Sequence, residues 1–308
     1  MSDKQPFDLI IVGASAAGVA AAIYAARRKL TFIVLSLDIG GEVATSGEIE
    51  NYPGYVHTDG IELAKKFEEQ LTHNNVDVRW PTTVKNIVKH DALFTVDAEG
   101  LKGPETYRSK TVIISSGMHP RKLGVPGETE LRGKGVTYCT TCDGPLFKGK
   151  PVITIGGGNS ALESALMMAD LSPQVTVINK NPQFKGDAVL IDKLRATKNI
   201  TVIAEAKTTK ILGEQLVSGA EYTDTAGKTQ TVEGKGIFIH IGNLPNSDFT
   251  DAEKSPRNAI ITDRKQMTNT PGLFAAGDVT ETPFWQIGIA VGQGITAVLA
   301  AIEYLNRV

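Results

Sequence analysis

The most reactive side chains in this sequence belong to its only two cysteines, Cys139 and Cys142, which are three positions apart. Cysteines at this spacing can close to a disulfide and reopen by thiol–disulfide exchange, in which one thiolate attacks and the other resolves the mixed disulfide. Two cysteines are too few for the disulfide framework of a small secreted protein. A zinc site would need further ligands, and the nearest histidine, His119, is not at zinc-finger spacing. The pair therefore predicts redox chemistry without a metal; the alternative is two incidental thiols.

Two segments that could position a cofactor follow the same order of apolar strand, glycine turn, helix and second strand. They comprise Phe7–Val12, Gly13–Gly18, Val19–Arg28 and Phe32–Leu35, and then Pro151–Ile155, Gly156–Ala161, a helix to about Asp170 and Gln174–Ile178. Small residues in such a turn allow close approach of a pyrophosphate, and the helix N-terminus attracts phosphate. The strand before and the helix after each turn favour two dinucleotide sites over two purely structural turns.

The glycine- and proline-containing segments Gly117–Pro120 and Gly242–Asn246 are predicted linkers around the second of these folds. The C-terminal segment then completes the first fold. We therefore predict an α/β protein with two Rossmann-like, three-layer nucleotide-binding domains. The first is discontinuous, over residues 1–117 and 246–308, and the second covers residues 118–245.

Several polar residues near predicted strand ends could contact a nucleotide. Ser15 occupies the usual place of the second glycine in the first turn. The position of the ribose-binding acid is taken by Ser36 or, slightly later, Asp38, and the sequence does not choose between them. Asp278 follows a short apolar strand, where its carboxylate would suit a ribose or ribityl hydroxyl.

Composition excludes several classes of protein. The 308 residues carry a net charge of −2 without a basic block, which excludes an electrostatic nucleic-acid footprint. Mean hydropathy is −0.08 and the apolar runs are short, so no membrane span is predicted. The N-terminus lacks the apolar core of a secretory signal, which predicts a cytoplasmic protein.

Taken together, these motifs resemble those of the low-molecular-weight thioredoxin reductases over nearly the whole chain, most closely divergent archaeal-type members. The resemblance is carried by Gly13–Gly18, Gly40–Glu42, Glu50–Gly54, Cys139–Gly144, Gly156–Ala161, Gly277–Val279 and Gln286. It implies FAD in the first, discontinuous domain and NADPH or NADH in the second, which also carries the redox-active C-x-x-C. It further implies a homodimer whose partner is thioredoxin or a similar small redox protein.

The resemblance also implies roles for individual residues. Cys142 would face the flavin, Cys139 would attack the partner disulfide, and Asp143 would exchange protons with the thiols. Position alone equally suits a turn or helix-cap aspartate before Gly144. The implied FAD contacts are Gly13, Ser15, Ala16, Ala17, Gly18, Ser36, Gly40, Gly41, Glu42, Asn51, Val84, Gly117, Gly277, Asp278, Trp285, Gln286 and Ile287. The implied nicotinamide-nucleotide contacts are Gly156, Gly158, Asn159, Ser160, Ala161, Lys180 and Lys185.

Three departures from the family pattern affect the electron donor. Lys180 and Lys185 stand where NADPH-using members carry arginines, and they are either phosphate ligands or solvated surface lysines. Trp285 replaces the usual Arg, as in relatives whose donor is not simply NADPH; it either covers the flavin or fills the core. Glu42 replaces the usual Gln and would disfavour an anionic reduced flavin.

The sequence thus predicts a thioredoxin-disulfide reductase whose second domain rotates about the two linkers during turnover. Four alternatives stay open. The same fold could serve a dithiol oxidase, or a reductase that takes electrons from ferredoxin or reduced flavin. It could feed a peroxide-reducing system, although such reductases often carry extra N-terminal thioredoxin-like domains and this chain begins at its first strand. A non-enzymatic redox sensor would bind FAD without sustained turnover.

Overall fold

The structure is a computed structural model that describes residues 5–46 and 48–307, apart from the side chain of Glu48. The expected lack of a secretory signal depends partly on residues 1–4, which lie outside this range. The helices are α1 Ala16–Arg27, α2 Gly60–His73, α3 Thr140–Asp143, α4 Asn159–Leu171, α5 Ala188–Ala196 and α6 Ile287–Leu305, with short 3-10 helices at Gly41–Val43 and Gly144–Phe147.

The strands divide between the two halves of the fold. In chain order they are β1 Phe7–Ala14, β2 Phe32–Ile39, β3 Glu48–Ile49, β4 Thr58–Asp59, β5 Val78–Arg79, β6 Thr83–His90, β7 Leu93–Gly100, β8 Gly103–Ile114, β9 Met118–Pro120, β10 Val136–Thr137, β11 Val152–Gly156, β12 Val175–Ile178, β13 Ile200–Ile203, β14 Lys207–Gly213, β15 Val217–Thr223, β16 Thr229–Glu233, β17 Gly236–His240, β18 Asn243–Pro245 and β19 Leu273–Ala275.

The chain divides into two compact units. Unit 1 comprises Met1–His119 and Leu244–Val308, and unit 2 comprises Pro120–Asn243. The two predicted linkers contain β9 and β18, which pair with each other as a two-stranded sheet. Their backbone groups therefore gain partners that an isolated linker would leave to water.

Unit 1 is built on a sheet of order β5-β2-β1-β8-β7-β6, with β19 also paired to β8. Its strands β5, β2, β1, β8 and β19 run parallel. Alternate residues of β1 enter different cores because successive side chains of a strand point to opposite faces. Leu9 and Ile11 pack with residues of α1, α2 and α6, whereas Ile10 and Val12 pack with residues of β6 and β7. The parallel sheet is thus the middle of three layers.

Unit 2 repeats this arrangement on a parallel sheet of order β10-β17-β11-β12-β13. Val152 of β11 packs with α4 and α5, while Ile153 packs on the opposite side with residues of the antiparallel sheet β14-β15-β16. Each unit therefore has helices on one face of a parallel sheet and antiparallel strands on the other. This confirms the predicted α/β class with two Rossmann-like domains, the first of them discontinuous.

Two helices of unit 1 differ from their expected form. Helix α1 begins at Ala16, three residues earlier than predicted, because Ser15 already has the extended backbone of an N-cap residue. Among the described residues, α6 alone has the length and apolar composition that would allow a membrane crossing, a property shared with core helices of soluble proteins. Part of α6 packs closely on α1, since a Cβ on Gly294 would lie 2.1 Å from the carbonyl oxygen of Ala17.

A buried threonine in β11 offers a test of the unit 2 core. Thr154 is fully buried, and its hydroxyl has no hydrogen-bond partner among the described residues. We expect Thr154→Val to raise the free energy of unfolding by about 1 kcal/mol, because it removes a buried unsatisfied hydroxyl. Thr111→Val is the matched control: the Thr111 hydroxyl donates to the carbonyl oxygen of Asp8 at 2.6 Å, so its loss should destabilise. Urea unfolding of both variants checks the opposite signs.

Candidate functional site

The two cysteines form a disulfide at the start of α3, with their Cα atoms 5.4 Å apart. Cys139 is the N-cap residue of α3, and its Sγ accepts a hydrogen bond from the backbone N–H of Cys142 at 3.1 Å. Cys142 is exposed and Cys139 is half-buried. Once the disulfide opens, this N–H donor would stabilise negative charge on the Cys139 sulfur, which is what a nucleophilic thiolate requires.

Asp143 is joined to the same turn through Thr137. The Thr137 hydroxyl donates to a carboxylate oxygen of Asp143 and accepts the backbone N–H of Cys139 at 3.1 Å. Asp143 stands at the N-cap position of the 3-10 helix Gly144–Phe147, but its side chain makes no capping hydrogen bond. Asp143 thus occupies a cap position without making the cap hydrogen bond, and its carboxylate lies one hydroxyl away from the backbone of the cysteine pair.

Unit 1 contains a cavity of about 620 Å³ at the carboxyl ends of its parallel strands. A volume between about 300 and 1,000 Å³ is typical of ligand and cofactor sites. The predicted FAD contacts that line it are Gly13, Ser15, Ala16, Ala17, Ser36, Gly41, Glu42, Val84, Gly117, Gly277, Asp278, Trp285, Gln286 and Ile287. Residues that are far apart in sequence are thus brought around one cavity by the strand order.

Three predicted FAD contacts do not line this cavity. Gly18 serves the packing of helix on strand, since a Cβ there would lie 1.9 Å from the carbonyl oxygen of Gly13. The carbonyl oxygen of Gly40 accepts the Ser15 hydroxyl at 2.5 Å, which leaves that hydroxyl engaged within the protein. Asn51 reaches the cavity wall indirectly, because its side-chain amide donates to Gln286 Oε1 at 3.2 Å.

The ribose position contains two polar side chains that are both held by the backbone. The Ser36 hydroxyl accepts the N–H of Ala14 at 3.0 Å and donates to the carbonyl oxygen of Asp38 at 2.6 Å. Asp38 Oδ1 accepts the N–H of Gly41 at 2.9 Å. Both residues line the cavity, and Asp38 is the more exposed of the two.

Asp278 is the carboxylate that suits a bound hydroxyl best. It is largely buried in the cavity wall, and burial raises the pKa of its carboxyl to about 6. No residue in the described part of the chain donates a hydrogen bond to that carboxylate. A buried acceptor without a protein partner costs free energy unless a ligand supplies the donor. Asp278 and the cavity therefore fit a polyhydroxylated cofactor such as FAD.

Glu42 adds a further carboxylate to the wall of this cavity. Desolvation by the cavity wall, with repulsion from Asp38 and Asp278, raises the pKa of the Glu42 carboxyl, against the hydrogen bond from Thr45 that lowers it. Its side chain still reaches solvent. Four carboxylates, of Asp38, Glu42, Asp248 and Asp278, therefore line one cavity, and this crowding disfavours additional negative charge on the part of a bound group that lies beside them.

Trp285 lies on the surface of the cavity. It is 47% exposed, which makes the core-filling alternative wrong. Its neighbour Phe284 is also exposed. A large aromatic side chain at a cavity wall has an apolar face free for stacking, as the flavin-covering alternative requires.

Sequence reasoning missed a hydrogen-bonded group on another side of this cavity. His119 Nδ1 lies 2.6 Å from Asn246 Oδ1, and the amide of Asn246 donates to the carbonyl oxygen of Ser116 at 2.8 Å. All three residues line the cavity. The available signal was their position just after the predicted strand at 111–115 and at the second linker, since ligands bind beyond the carboxyl ends of parallel strands.

The second glycine turn lies between β11 and α4 in unit 2. A Cβ on Gly156 would lie 2.0 Å from the carbonyl oxygen of His240, so this position requires glycine for close strand packing. Gly158 has open space above it and is the N-cap of α4, which leaves the first N–H groups of the helix free of a side-chain cap. The predicted contacts follow one another from the end of β11 to the first turn of α4, as Gly156, Gly158, Asn159, Ser160 and Ala161. The turn therefore fits a pyrophosphate.

The two predicted phosphate ligands belong to a loop that borders this turn. The backbone N–H of Lys185 donates to the carbonyl oxygen of Gly157 at 2.7 Å. The side chains of Lys180 and Lys185 are exposed. Asn179, at the end of β12, is buried, and a Cβ on Gly157 would lie 2.5 Å from its Oδ1. The amide of Asn179 is bonded to the backbone of Asn181 and Gln183, so the end of β12 offers a buried neutral side chain and two exposed lysines.

Comparison with known proteins identifies the family of this chain. Residues 7–301 match the pyridine nucleotide-disulphide oxidoreductase family, and the chain belongs to that family. Membership confirms the resemblance stated from the sequence and implies FAD and a nicotinamide cofactor.

Three similar proteins illustrate the range of the family. The thioredoxin reductase of T. acidophilum is 38% identical, with a TM-score of 0.89, and 99% of each chain is covered. An alkyl hydroperoxide reductase component from Pseudomonas putida is 45% identical over 99% of this chain and 59% of its own length. NADH dehydrogenase of Bacillus subtilis is 41% identical over 99% of this chain and 60% of its own length. The chain therefore spans about 60% of these two curated relatives.

Proposed function

We propose that this protein is a FAD-dependent reductase that passes electrons from a nicotinamide nucleotide to the disulfide of a small redox protein, by way of Cys139 and Cys142. The observation that carries the proposal is the Cys139–Cys142 disulfide itself, closed at the start of a helix with one sulfur accepting a backbone N–H. Unit 2 carries this cysteine pair together with the glycine turn at Gly156–Ala161. The other glycine turn, at Gly13–Gly18, opens onto the cavity of unit 1.

Each cofactor would be held by residues already described. The first glycine turn and Asp278 would bind the pyrophosphate and a ribityl hydroxyl of FAD. The second turn at Gly156–Ala161 would bind the nicotinamide nucleotide. The flavin supplies the two-electron transfer between nucleotide and disulfide that protein side chains cannot perform.

The dithiol step can be written with the groups at the turn. The Cys139 thiolate attacks one sulfur of the partner disulfide, and the departing partner thiolate takes a proton, for which Asp143 is the proposed donor. The ionised Asp143 then takes the proton of the Cys142 thiol, and the Cys142 thiolate attacks the Cys139 sulfur. The second partner thiolate leaves and takes that proton from Asp143. The Cys139–Cys142 disulfide is restored, and the partner has gained two electrons and two protons.

NADH is the donor that we propose. The strand-end residue Asn179 is neutral, and the neighbouring lysines lack the planar fork with which arginine binds a 2′-phosphate. A relative at 41% identity also bears the name NADH dehydrogenase. The test is anaerobic stopped-flow absorbance of the FAD-loaded protein mixed with NADH or NADPH, followed by titration of protein thiols. Rapid flavin bleaching with the appearance of two thiols supports the proposal; bleaching without new thiols contradicts the route through the cysteines.

Substitution of Lys180 and Lys185 tests whether these side chains distinguish NADPH from NADH. If Lys180 and Lys185 bind a 2′-phosphate, Lys180→Ala and Lys185→Ala should each lower kcat/KM for NADPH about fivefold, as expected for an exposed charge pair of about 1 kcal/mol. The value for NADH should stay within about twofold, because NADH lacks this phosphate. Lys193→Ala, an exposed lysine on α5, is the control. Equal losses with both nucleotides would show that the lysines act on something other than the phosphate.

The partner disulfide has two candidates. A thioredoxin is favoured by the T. acidophilum structure, which aligns over the whole chain. The disulfide of a peroxide-reducing protein is favoured by the 45% identity to a relative whose name is that of an alkyl hydroperoxide reductase component. Steady-state kcat/KM, measured with each purified protein disulfide as substrate, shows which of the two is the better partner.

Oxygen consumption with a small dithiol and no nucleotide would instead identify a dithiol oxidase. The homodimer and the cytoplasmic location stay predictions, to be checked by sedimentation and fractionation.

A further inference from the structure

The residue that follows Cys139 is anchored by a buried chain of hydrogen bonds. Thr140 Oγ1 lies 2.7 Å from Ser164 Oγ and 2.9 Å from His240 Nε2. Thr140 and Ser164 are 6% and 3% exposed. Ser164 belongs to α4, and His240 is the last residue of β17. The chain of bonds therefore ties the turn that carries the two sulfurs to a core helix and to a core strand.

This group of side chains is electrically neutral. Burial lowers the pKa of His240 to about 4, so its imidazole carries no charge near neutral pH. A neutral imidazole and two hydroxyls can satisfy one another as donors and acceptors. The polar group is thus buried without the cost of an unpaired ion.

The hydrogen-bonded group of Thr140, Ser164 and His240, which we call the anchor, is also closely packed. A Cβ on Gly144 would lie 3.0 Å from Met168 Sδ and 3.7 Å from Thr140 Cγ2, so α3 lies directly on α4. The carbonyl oxygen of His240 also lies where a Cβ on Gly156 would be. His240 therefore contacts both the turn that carries the disulfide and the strand end that opens the second glycine turn.

We propose that His240 is a positioning residue for the dithiol, acting with Ser164 through the hydroxyl of Thr140. The inference rests on the proposed function, because it assigns these residues to the dithiol–disulfide step. The anchor is made while the disulfide is closed. It keeps Cys139 and Cys142 near each other after reduction, which raises the effective concentration of one thiol at the other. Without it, the dithiol gains conformations that cannot close, and the disulfide becomes easier to reduce.

The test measures the equilibrium between disulfide and dithiol in mixtures of reduced and oxidised dithiothreitol. Reduction opens the Cys139–Cys142 bond as two dithiothreitol thiols become a disulfide, so electrons and protons balance. Protein thiols are then trapped by alkylation and counted by mass spectrometry. We expect Thr140→Val to favour the dithiol about fivefold, because the reduced turn loses a restraint worth about one net hydrogen bond and the effective concentration of one thiol at the other falls. Thr140→Ser should restore the equilibrium constant to within about twofold, because it keeps the hydroxyl.

Variants at His240 and in the core complete the design. His240→Leu should match Thr140→Val, whereas His240→Gln should recover part of the loss because its amide can still bond to Thr140. Thr154→Val repeats the substitution at a buried threonine without a partner among the described residues and should leave the equilibrium unchanged. Should His240→Leu fail to fold, the nearly isosteric pair Thr140→Val and Thr140→Ser still decides the question.

Two results would overturn the assignment. One is an equilibrium constant for Thr140→Val equal to that of the wild type. The other is a Thr140→Ser variant as impaired as Thr140→Val, since the shape of the side chain and not its hydroxyl would then matter. Failure of the proposed function is seen separately, as wild-type protein in which neither NADH nor NADPH generates thiols. The dithiothreitol equilibrium needs no nucleotide and remains measurable in that case.

Discussion

Cys142→Ser should abolish nucleotide-driven disulfide reduction, with a loss of at least about 1,000-fold in turnover. Serine cannot accept the two electrons that open a disulfide, and it cannot release a partner from a mixed disulfide with Cys139. The variant should still bind FAD, because no cysteine lines the cavity in unit 1. The measurement is the rate of reduction of a protein disulfide with NADH or NADPH in excess.

The same variant contains its own control. Flavin bleaching by the nucleotide should persist in Cys142→Ser, since the glycine turn at Gly156–Ala161 is unchanged. Cys139→Ser should be equally inactive toward the protein disulfide, because it removes the attacking sulfur. Turnover of either variant at more than about one hundredth of the wild-type rate would show that electrons reach the partner without this pair.

Asp278→Asn should weaken FAD binding about 30-fold, the second largest effect that we expect. A charged acceptor contributes about 1.5–3 kcal/mol to a hydrogen bond, and the neutral amide would lose most of it. Equilibrium dialysis of the flavin measures this change. Asp251→Asn, an exposed aspartate of the same unit, is the matched control and should leave FAD affinity unchanged.

Although Asp278→Asn should weaken FAD binding, it should raise the free energy of unfolding of the flavin-free protein at neutral pH. The folded-state pKa of about 6 for Asp278 lies above the ordinary value of 3.8, so the folded protein holds this proton more tightly than the unfolded chain. The associated stability is fully present below about pH 4 and is lost as pH rises through about 6. At pH 7 the loss is about 3 kcal/mol. In Asp278→Asn this decline should disappear, and urea unfolding at several pH values measures it. Parallel pH profiles for Asp278→Asn and the wild type would contradict the burial of this charge.

The local chemistry of the sequence was sufficient for the dithiol and for both glycine turns. Cys139 and Cys142 are close in space because they are close in the chain. A strand, a glycine turn and a helix also form from residues that follow one another, so their order is visible without the fold. The helix start at Ala16 was missed because the N-cap geometry of Ser15 depends on backbone angles that residue type does not determine.

Other features could not be predicted because they depend on burial and on contacts between distant parts of the chain. Trp285 could not be assigned to core or surface from its identity, since tryptophan is common in both environments. The structure places it at the surface of the cavity. The position of Asp143 before Gly144 is visible in the sequence, whereas its hydrogen bond with Thr137 is visible only in the fold.

The sequence alone therefore determined the reactive pair, the two nucleotide-binding turns and the α/β class, since each depends on short-range spacing and periodicity. The tertiary structure decided which remote residues meet. Glu42 and Asp278 share one cavity because parallel strands end at the same edge of the sheet of unit 1. Thr140 and His240 are 100 positions apart and bond because strand order and register bring the end of β17 to the dithiol turn. Such pairings are specified by the packing of the whole domain, and no local pattern encodes them.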